Sequence, residues 1–317
     1  MADLSRDAKL APDEPLLQST SKLFFYLWNQ AWNHASGTAS GDADALHDMR
    51  VNLRRLRSAL QNFEGAADAP LINNRVRREF SIERKTLGKL GDFLGTVRDH
   101  DVLDDYLKSY AKDRLKIPVA DSPGLAHFER YLQTERAQSF APMVKKLNRA
   151  QEPGKAREQF ARWALGLPGI AAPPLSLIEA SRIILPQRLD DVRALSHALA
   201  DGADGEGHHE FRKSLRRLRY ALETLGVCFE GSLKAPLKTL VEIQDILGEM
   251  QDREVLALKA REAFGDSSSD SSAELPPDIV AFLNSGEMRR RRLLGTARTW
   301  WTNHEHGVLD EISALMA

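Results

Sequence analysis

His47-Asp48-Met49-Arg50-Val51-Asn52-Leu53-Arg54-Arg55-Leu56-Arg57 is written a second time as His209-Glu210-Phe211-Arg212-Lys213-Ser214-Leu215-Arg216-Arg217-Leu218-Arg219. At about 100° per residue a helix sorts each copy into two stripes. His47, Arg50, Arg54 and Arg57 fall in one, and Met49, Leu53, Leu56, Leu60 and Phe63 fall beside it. The second copy repeats the division, with His209, Arg212, Arg216 and Arg219 next to Phe211, Leu215, Leu218, Leu222 and Leu225. Each copy is therefore predicted to be an amphipathic helix that buries one edge and carries cations along the other.

The cationic stripe is self-repelling. Like charges three or four residues apart each cost a few tenths of a kcal/mol, and no acid stands three or four residues from Arg50, Arg54 or Arg57. The second copy differs at Glu223, four residues after Arg219, where the first has Gln61. Unless acids arrive from other helices, an external anion is the natural partner. Arg55 and Arg217 also recur, but point about 80° from the histidines and are expected to make flank contacts or interhelix pairs.

The chain has 317 residues, 42% hydrophobic and 28% charged, enough for a globular core with a mixed-charge surface. A net charge of −1 argues against a coat of positive charge for indiscriminate nucleic-acid binding, so the basic character is local. Among the cations 30 are Arg and 14 are Lys, a bias toward the planar donor fork that suits phosphate and carboxylate. The single cysteine, Cys228, excludes an intrachain disulfide and reads as a small buried hydrophobe. The N-terminal residues are polar and no stretch has the length of apolar sequence that a membrane span needs, so a cytoplasmic location without membrane association is expected.

Helical periodicity dominates, and the fold class is expected to be all-α. A first helix is predicted over residues 14–36, with a loop over 36–42. The first basic helix follows and stops near Gly65. After a turn at 66–70, a helix carrying Arg77, Arg78, Arg84, Lys85 and Lys89 leads into Leu94-Gly95-Thr96-Val97-Arg98-Asp99. Its counterpart is Leu247-Gly248-Glu249-Met250-Gln251-Asp252, and Lys85 and Lys238 stand equally far before the two glycines. The chain thus divides into a first repeat over residues 9–165, a Gly/Pro linker over 166–174 and a second repeat over 175–317. Smaller expectations are a break or bend at Pro142, a helix over 176–200, an acidic Gly-rich loop over 201–207, a Ser/Asp excursion over 265–278 and a late helix holding Arg289 to Arg292 with Trp300 and Trp301.

The Leu-Gly-x-x-x-Asp passages allow two readings. In the preferred one Gly95 and Gly248 end helices and Asp99 and Asp252 cap the next ones. In the other, the two acids orient a His or Arg from the basic helices. No metal site is expected, because neither His47 nor His209 has a second ligand three or four residues on, and the arginines would repel a cation. Neither a phosphate-binding loop of the Walker type, nor a nucleophile elbow, nor a zinc-protease motif occurs. Ser81-Ile82-Glu83-Arg84-Lys85 lacks the first acid of the Glu-x-Glu-x-Lys signature of triphosphate-tunnel enzymes and lies in a helical stretch.

The doubled His-x-x-Arg-x-x-x-Arg-Arg-x-Arg helices, with the later Leu-Gly-x-x-Arg-Asp-x-Asp-Val pattern, resemble the CHAD family, the conserved-histidine α-helical domain. In the second half Gln251 and Glu254 replace the Arg and the second Asp of that pattern. The resemblance covers nearly the whole chain and suggests a stand-alone member. It implies two helical bundles related by a pseudo-twofold, whose His-Arg helices line a basic central channel that binds inorganic polyphosphate, in some members at polyphosphate granules. The residues expected to contact polyphosphate are His47, Arg50, Arg54, Arg57 and Lys85 with His209, Arg212, Arg216, Arg219 and Lys238. Arg55, Arg217, Lys89, Arg78, Arg98 and Arg289 are placed in a supporting role, and Asp99 and Asp252 behind them. No cofactor is called for, and nucleic acid is not expected as the main ligand. The reading is a binding module rather than an enzyme; the alternatives are a phosphohydrolase or phosphotransferase using the repeated His, and an adaptor for nucleic acid or an acidic protein.

Overall fold

Asp42 starts the first basic helix by accepting from the N–H groups of Asp44 and Ala45, and Gly65 ends it at φ 72°, a conformation that suits glycine. The computed structural model describes residues 4–65, 71–170, 175–199, 205–230, 232–265 and 275–316. Within these the α-helices are α1 (Leu4–Asp7), α2 (Leu16–Asn33), α3 (Ala35–Ser40), α4 (Ala43–Glu64), α5 (Asn74–Tyr110), α6 (Pro123–Gln151), α7 (Ala156–Gly166), α8 (Leu177–Leu195), α9 (Gly205–Leu225), α10 (Lys234–Ala263) and α11 (Pro277–Ala314). The fold is all-α. An isolated antiparallel bridge between Pro15 and Ser176 is the one β pairing among the described residues.

The predicted apolar stripes are the buried ones. Met49, Leu53, Leu56, Leu60 and Phe63 of α4 lie in the core with Phe211, Leu215, Leu218, Leu222 and Leu225 of α9. Burying side chains of this size is worth roughly 1.5–3 kcal/mol each, which outweighs like-charge repulsion of a few tenths of a kcal/mol per pair in the adjoining stripe. Packing thus fixes the two basic helices. Helix α4 lies against α2, α5 and α9, and α9 against α8 and α10.

Residues from both sides of the 166–174 segment share the cores. A smaller cluster joins Leu107, Phe128 and Leu132 to Leu256, Ile279 and Phe282. At the other end the Leu16 N–H donates to the Leu175 carbonyl at 2.8 Å, and the Leu177 N–H donates to the Glu14 carbonyl at 3.0 Å. None of the described helices is long and apolar enough to cross a membrane.

Several local expectations need correction. Gly95 and Gly248 end no helix, and Asp99 and Asp252 cap none: α5 and α10 run through them. The expected loop over 36–42 is mostly the helix α3, held by the buried Ala35 and Thr38. Pro142 does not end α6, because Met143 and Leu147 beyond it are fully buried and anchor its last turns. In the expected linker, Gly166 closes α7 and Leu167 is a core residue. Arg289 to Arg292 continue the late helix expected to hold them, which is α11. The expected turn at 66–70, residues 171–174 of the linker, 201–204 of the acidic loop and 266–274 of the Ser/Asp excursion fall outside the described residues.

Candidate anion site between the basic helices

Where α4, α9 and the middle of α5 meet, a cavity of about 280 Å³ is lined by Arg50, Arg54, Arg57, Arg84, Lys213, Arg216 and Arg217. Asp92 is the one carboxylate in that lining; Ser58, Gln61 and Tyr220 are the other polar side chains. The site is a box of guanidinium groups fed by three helices.

Some of these cations are matched. Arg50 donates to Asp99 Oδ1 at 2.8 Å and to the Gly95 carbonyl at 3.2 Å, so an acid does arrive from another helix. Arg84 stands 3.6 Å from Glu64 and Lys213 2.7 Å from Glu210. Arg54 donates through Nε to the Tyr220 hydroxyl at 2.9 Å. Among the described residues, however, no ion pair reaches Arg54, Arg57 or Arg216. Removed from water without a counter-charge, such groups are costly.

The electrostatics record that cost. Arg216 is pushed down to about 10, first by burial, then by Arg54, with Tyr220 opposing and Arg212 and Arg50 adding to the fall. It remains protonated at neutral pH. Arg212 is lowered too, chiefly by burial and against the pull of Asp252. Asp252 is raised by its own burial and by Asp99, with Arg212 opposing. Burial favours the neutral phenol of Tyr220, yet Arg54, Arg219 and Arg216 outweigh it and the net direction is down. Arg219 also lies over the Tyr220 ring, 4.8 Å from its centroid.

Glycines in α5 and α10 make room for this. A Cβ on Gly95 would stand 3.3 Å from the Arg50 guanidinium carbon, one on Gly88 3.4 Å from an Arg57 nitrogen, and one on Gly248 3.6 Å from an Arg212 nitrogen. Mid-helix glycine costs about 1 kcal/mol against alanine. At Gly95 it lets the Arg50 guanidinium lie closer to the backbone than a Cβ would allow, whereas at Gly88 and Gly248 a Cβ would meet the arginine at ordinary contact distance.

The structure gathers Arg50, Arg54, Arg57 and Arg216 into the cavity, with Arg217 from the supporting set. It does not bring the other expected residues to its lining. His47 is exposed, its pKa lowered by desolvation and by Arg98, with Arg54 and Arg50 adding and Asp48 opposing. His209 is half-buried, its Nδ1 3.0 Å from Gln251 Oε1. Arg212 packs on Gly248 near Asp252, and Arg219 pairs with Glu223 at 3.2 Å. Lys85, Lys238 and Arg78 are exposed, Arg98 sits near His47, and Lys89 faces a different groove. Arg289 makes two bonds to Glu249, at 2.9 and 3.0 Å. Arg55, expected to make flank or interhelix contacts, pairs with Glu223 of α9 at 3.1 Å.

Sequence reasoning missed Arg84, Lys213 and Tyr220. Spacing held a signal for two of them: Lys213 precedes Arg217 by one helical turn, and Arg84 precedes Gly88 by one.

An all-helical scaffold with a cation-lined cavity between two like basic helices defines the class. The sequence profile of the CHAD domain matches residues 24–261, and the chain belongs to the CHAD family. Its fold is similar to the CHAD domain from the plant Ricinus communis, at 24% identity, covering 97% of this chain and 93% of that one, with a TM-score of 0.60. It is also similar to PptA from Streptomyces chartreusis, at 16% identity, covering 92% and 99%, with a TM-score of 0.61. At these identities the likeness concerns the fold. No curated protein matches the chain.

Proposed function

We propose that the protein binds inorganic polyphosphate in the basic cavity between α4 and α9, as a binding module that does not turn the polymer over. The observation that carries this reading is the set of cations without an acid partner, Arg54, Arg57 and Arg216, on one cavity wall system. A linear polyanion offers consecutive phosphoryl oxygens to such planar forks, and each pair gained offsets a desolvation cost already present in the folded chain. The two basic helices then act as opposite halves of one channel related by a pseudo-twofold, and association with cytoplasmic polyphosphate granules follows from the same chemistry.

Calorimetry with long polyphosphate, tripolyphosphate, ATP and DNA tests this in the wild type and in Arg54→Ala/Arg216→Ala. Long polyphosphate is expected to bind most tightly and the double variant to lose at least tenfold in affinity. Binding is also expected to weaken steeply with salt, by about 0.7 in log–log slope per phosphate neutralised if the polymer behaves like other single-stranded polyanions. Affinity for polyphosphate no better than for DNA, or an unaffected double variant, overturns the reading. Release of orthophosphate in the presence of Mg²⁺, or a phosphohistidine at His47 or His209, would return it to a catalyst.

A further inference from the structure

A second concavity lies on another face of α5. Gly91 and Asp92 line the arginine cavity, whereas Lys89, Leu90 and Phe93 of the same helix line a groove of about 290 Å³ shared with α2, α6 and the start of α7. Its apolar lining is Trp28, Leu87, Leu90, Phe93 and Ala150. Trp28 and Leu87 are each only 2% exposed and belong to the main core, so the accessible apolar wall is chiefly the half-buried Leu90 and Phe93.

The polar lining has one sign of charge. Lys89, Lys146, Arg149 and Lys155 surround this wall and no carboxylate joins them. Among the described residues none of the four groove cations has an ion-pair partner. Lys146 instead holds its ammonium over the Phe93 ring, 5.3 Å from the centroid, on the apolar wall itself. Ala156, the first residue of α7, also lines the groove, and at that helix end Glu158 of the first turn accepts the Gly154 N–H at 2.9 Å.

We propose that this groove is a binding site for an amphipathic anion, a molecule with an apolar tail and a single carboxylate or phosphate head. The tail lies on Leu90 and Phe93, above the buried Trp28, and the head meets Lys146, Arg149 and Lys155 near the α7 N terminus. The volume is at the lower end of the range for small-molecule sites, which fits one chain or ring system. A purely inorganic polyanion would leave the apolar wall uncovered, and a neutral lipid would leave four like charges unanswered.

The inference does not depend on polyphosphate binding, and its test keeps the two apart. The full chain is titrated by calorimetry with dodecyl phosphate below its micelle concentration, with tryptophan emission followed in parallel. Dodecyl maltoside, dodecyltrimethylammonium and inorganic phosphate serve as comparators. One dodecyl phosphate per chain is expected, at least tenfold tighter than any comparator. Lys146→Glu/Arg149→Glu, which alters exposed side chains only, is expected to weaken it at least tenfold, while Arg54→Ala/Arg216→Ala and saturating tripolyphosphate leave it unchanged. Equal binding of the cationic or neutral detergent, indifference to the charge reversal, or displacement by tripolyphosphate overturns the proposal. So does sedimentation with phosphatidylglycerol vesicles without binding of the monomeric probe, which would make the groove a lipid-surface contact.

Discussion

Glu223 of α9 receives Arg55 of α4 across the interface between the two basic helices, Nε to Oε2 at 3.1 Å. Its other oxygen stands 3.2 Å from Arg219 of its own helix, and the carboxylate side chain is only 1% exposed. One buried charge therefore ties down two arginines next to the arginine-lined cavity. Glu223→Gln keeps the shape and removes the charge. Breaking a buried pair outright costs about 3–5 kcal/mol, and the retained amide should limit the loss to roughly the lower part of that range. The freed arginines should in turn strengthen polyphosphate binding. Thermal unfolding with and without polyphosphate checks both: the variant should melt lower alone and gain more from ligand. A variant that melts lower and gains no more than wild type would show that Glu223 serves stability alone.

The same residue makes the two copies unequal. Where α9 has Glu223, α4 has Gln61, and Arg57 lines the cavity whereas Arg219 does not. Arg57→Ala is expected to weaken polyphosphate binding several-fold more than Arg219→Ala. Calorimetry on the two variants decides it, and equal losses would count against a polar channel with a stronger first half.

The sequence carried the all-helical class and both buried stripes because these depend on local periodicity, and it carried the limits of α4 because Asp42 and Gly65 are local signals. It misled at Gly95 and Gly248, which lie inside α5 and α10, and at Gly95 what the glycine accommodates is a guanidinium from another helix. The site was legible where it followed one helix face: Arg50, Arg54 and Arg57 from α4, Arg216 from α9. Lys85 was chosen by its equal distance from the motif glycine in both copies, but ten residues before Gly95 is about 80° away from that glycine's face. Arg84, one residue earlier, is within about 20° of it and lines the cavity. Tyr220 was hidden for a different reason: the arginine it accepts from belongs to the other half of the chain.

The glycine reading separates two substitutions on one helix. A Cβ at Gly91 would meet Arg57 at an ordinary 3.6 Å, while one at Gly95 would press on Arg50 at 3.3 Å. Gly91→Ala is expected to stabilise α5 by up to about 1 kcal/mol and, although Gly91 lines the cavity, to change ligand affinity less than Gly95→Ala does. Gly95→Ala should forfeit that gain, shift the Arg50 guanidinium and lower polyphosphate affinity several-fold. Urea unfolding and calorimetry on both variants test this, and identical behaviour would remove the case for close approach at Gly95.

Cys228 offers a check on burial. It packs half-buried against the main core, and burial pushes its thiol up to about 11, with a bond from Ser181 opposing and Asp13 adding to the rise. The reactive thiolate is then a minor species, roughly one part in a thousand at pH 8. Alkylation by iodoacetamide at that pH should be far slower in the folded protein than in guanidinium, and comparable rates would refute it.

His47, exposed and outside the cavity lining, gives the protein a pH dependence whose sign is expected to reverse with ligand. Desolvation and Arg98 lower its folded pKa below the ordinary value near 6.5, so the unfolded chain binds more protons as pH falls through that value. The ligand-free protein should therefore lose stability on acidification through this window. A polyphosphate running past Arg50 and Arg54 to His47 would cancel the repulsion and favour the imidazolium. Binding near pH 6 should then take up protons and tighten as pH falls, since the internal phosphoryl groups of the polymer stay ionised. Calorimetry at pH 6 in buffers of different ionisation enthalpy measures that uptake directly. It should disappear in His47→Gln, and wild-type binding without proton uptake would place the polymer away from His47.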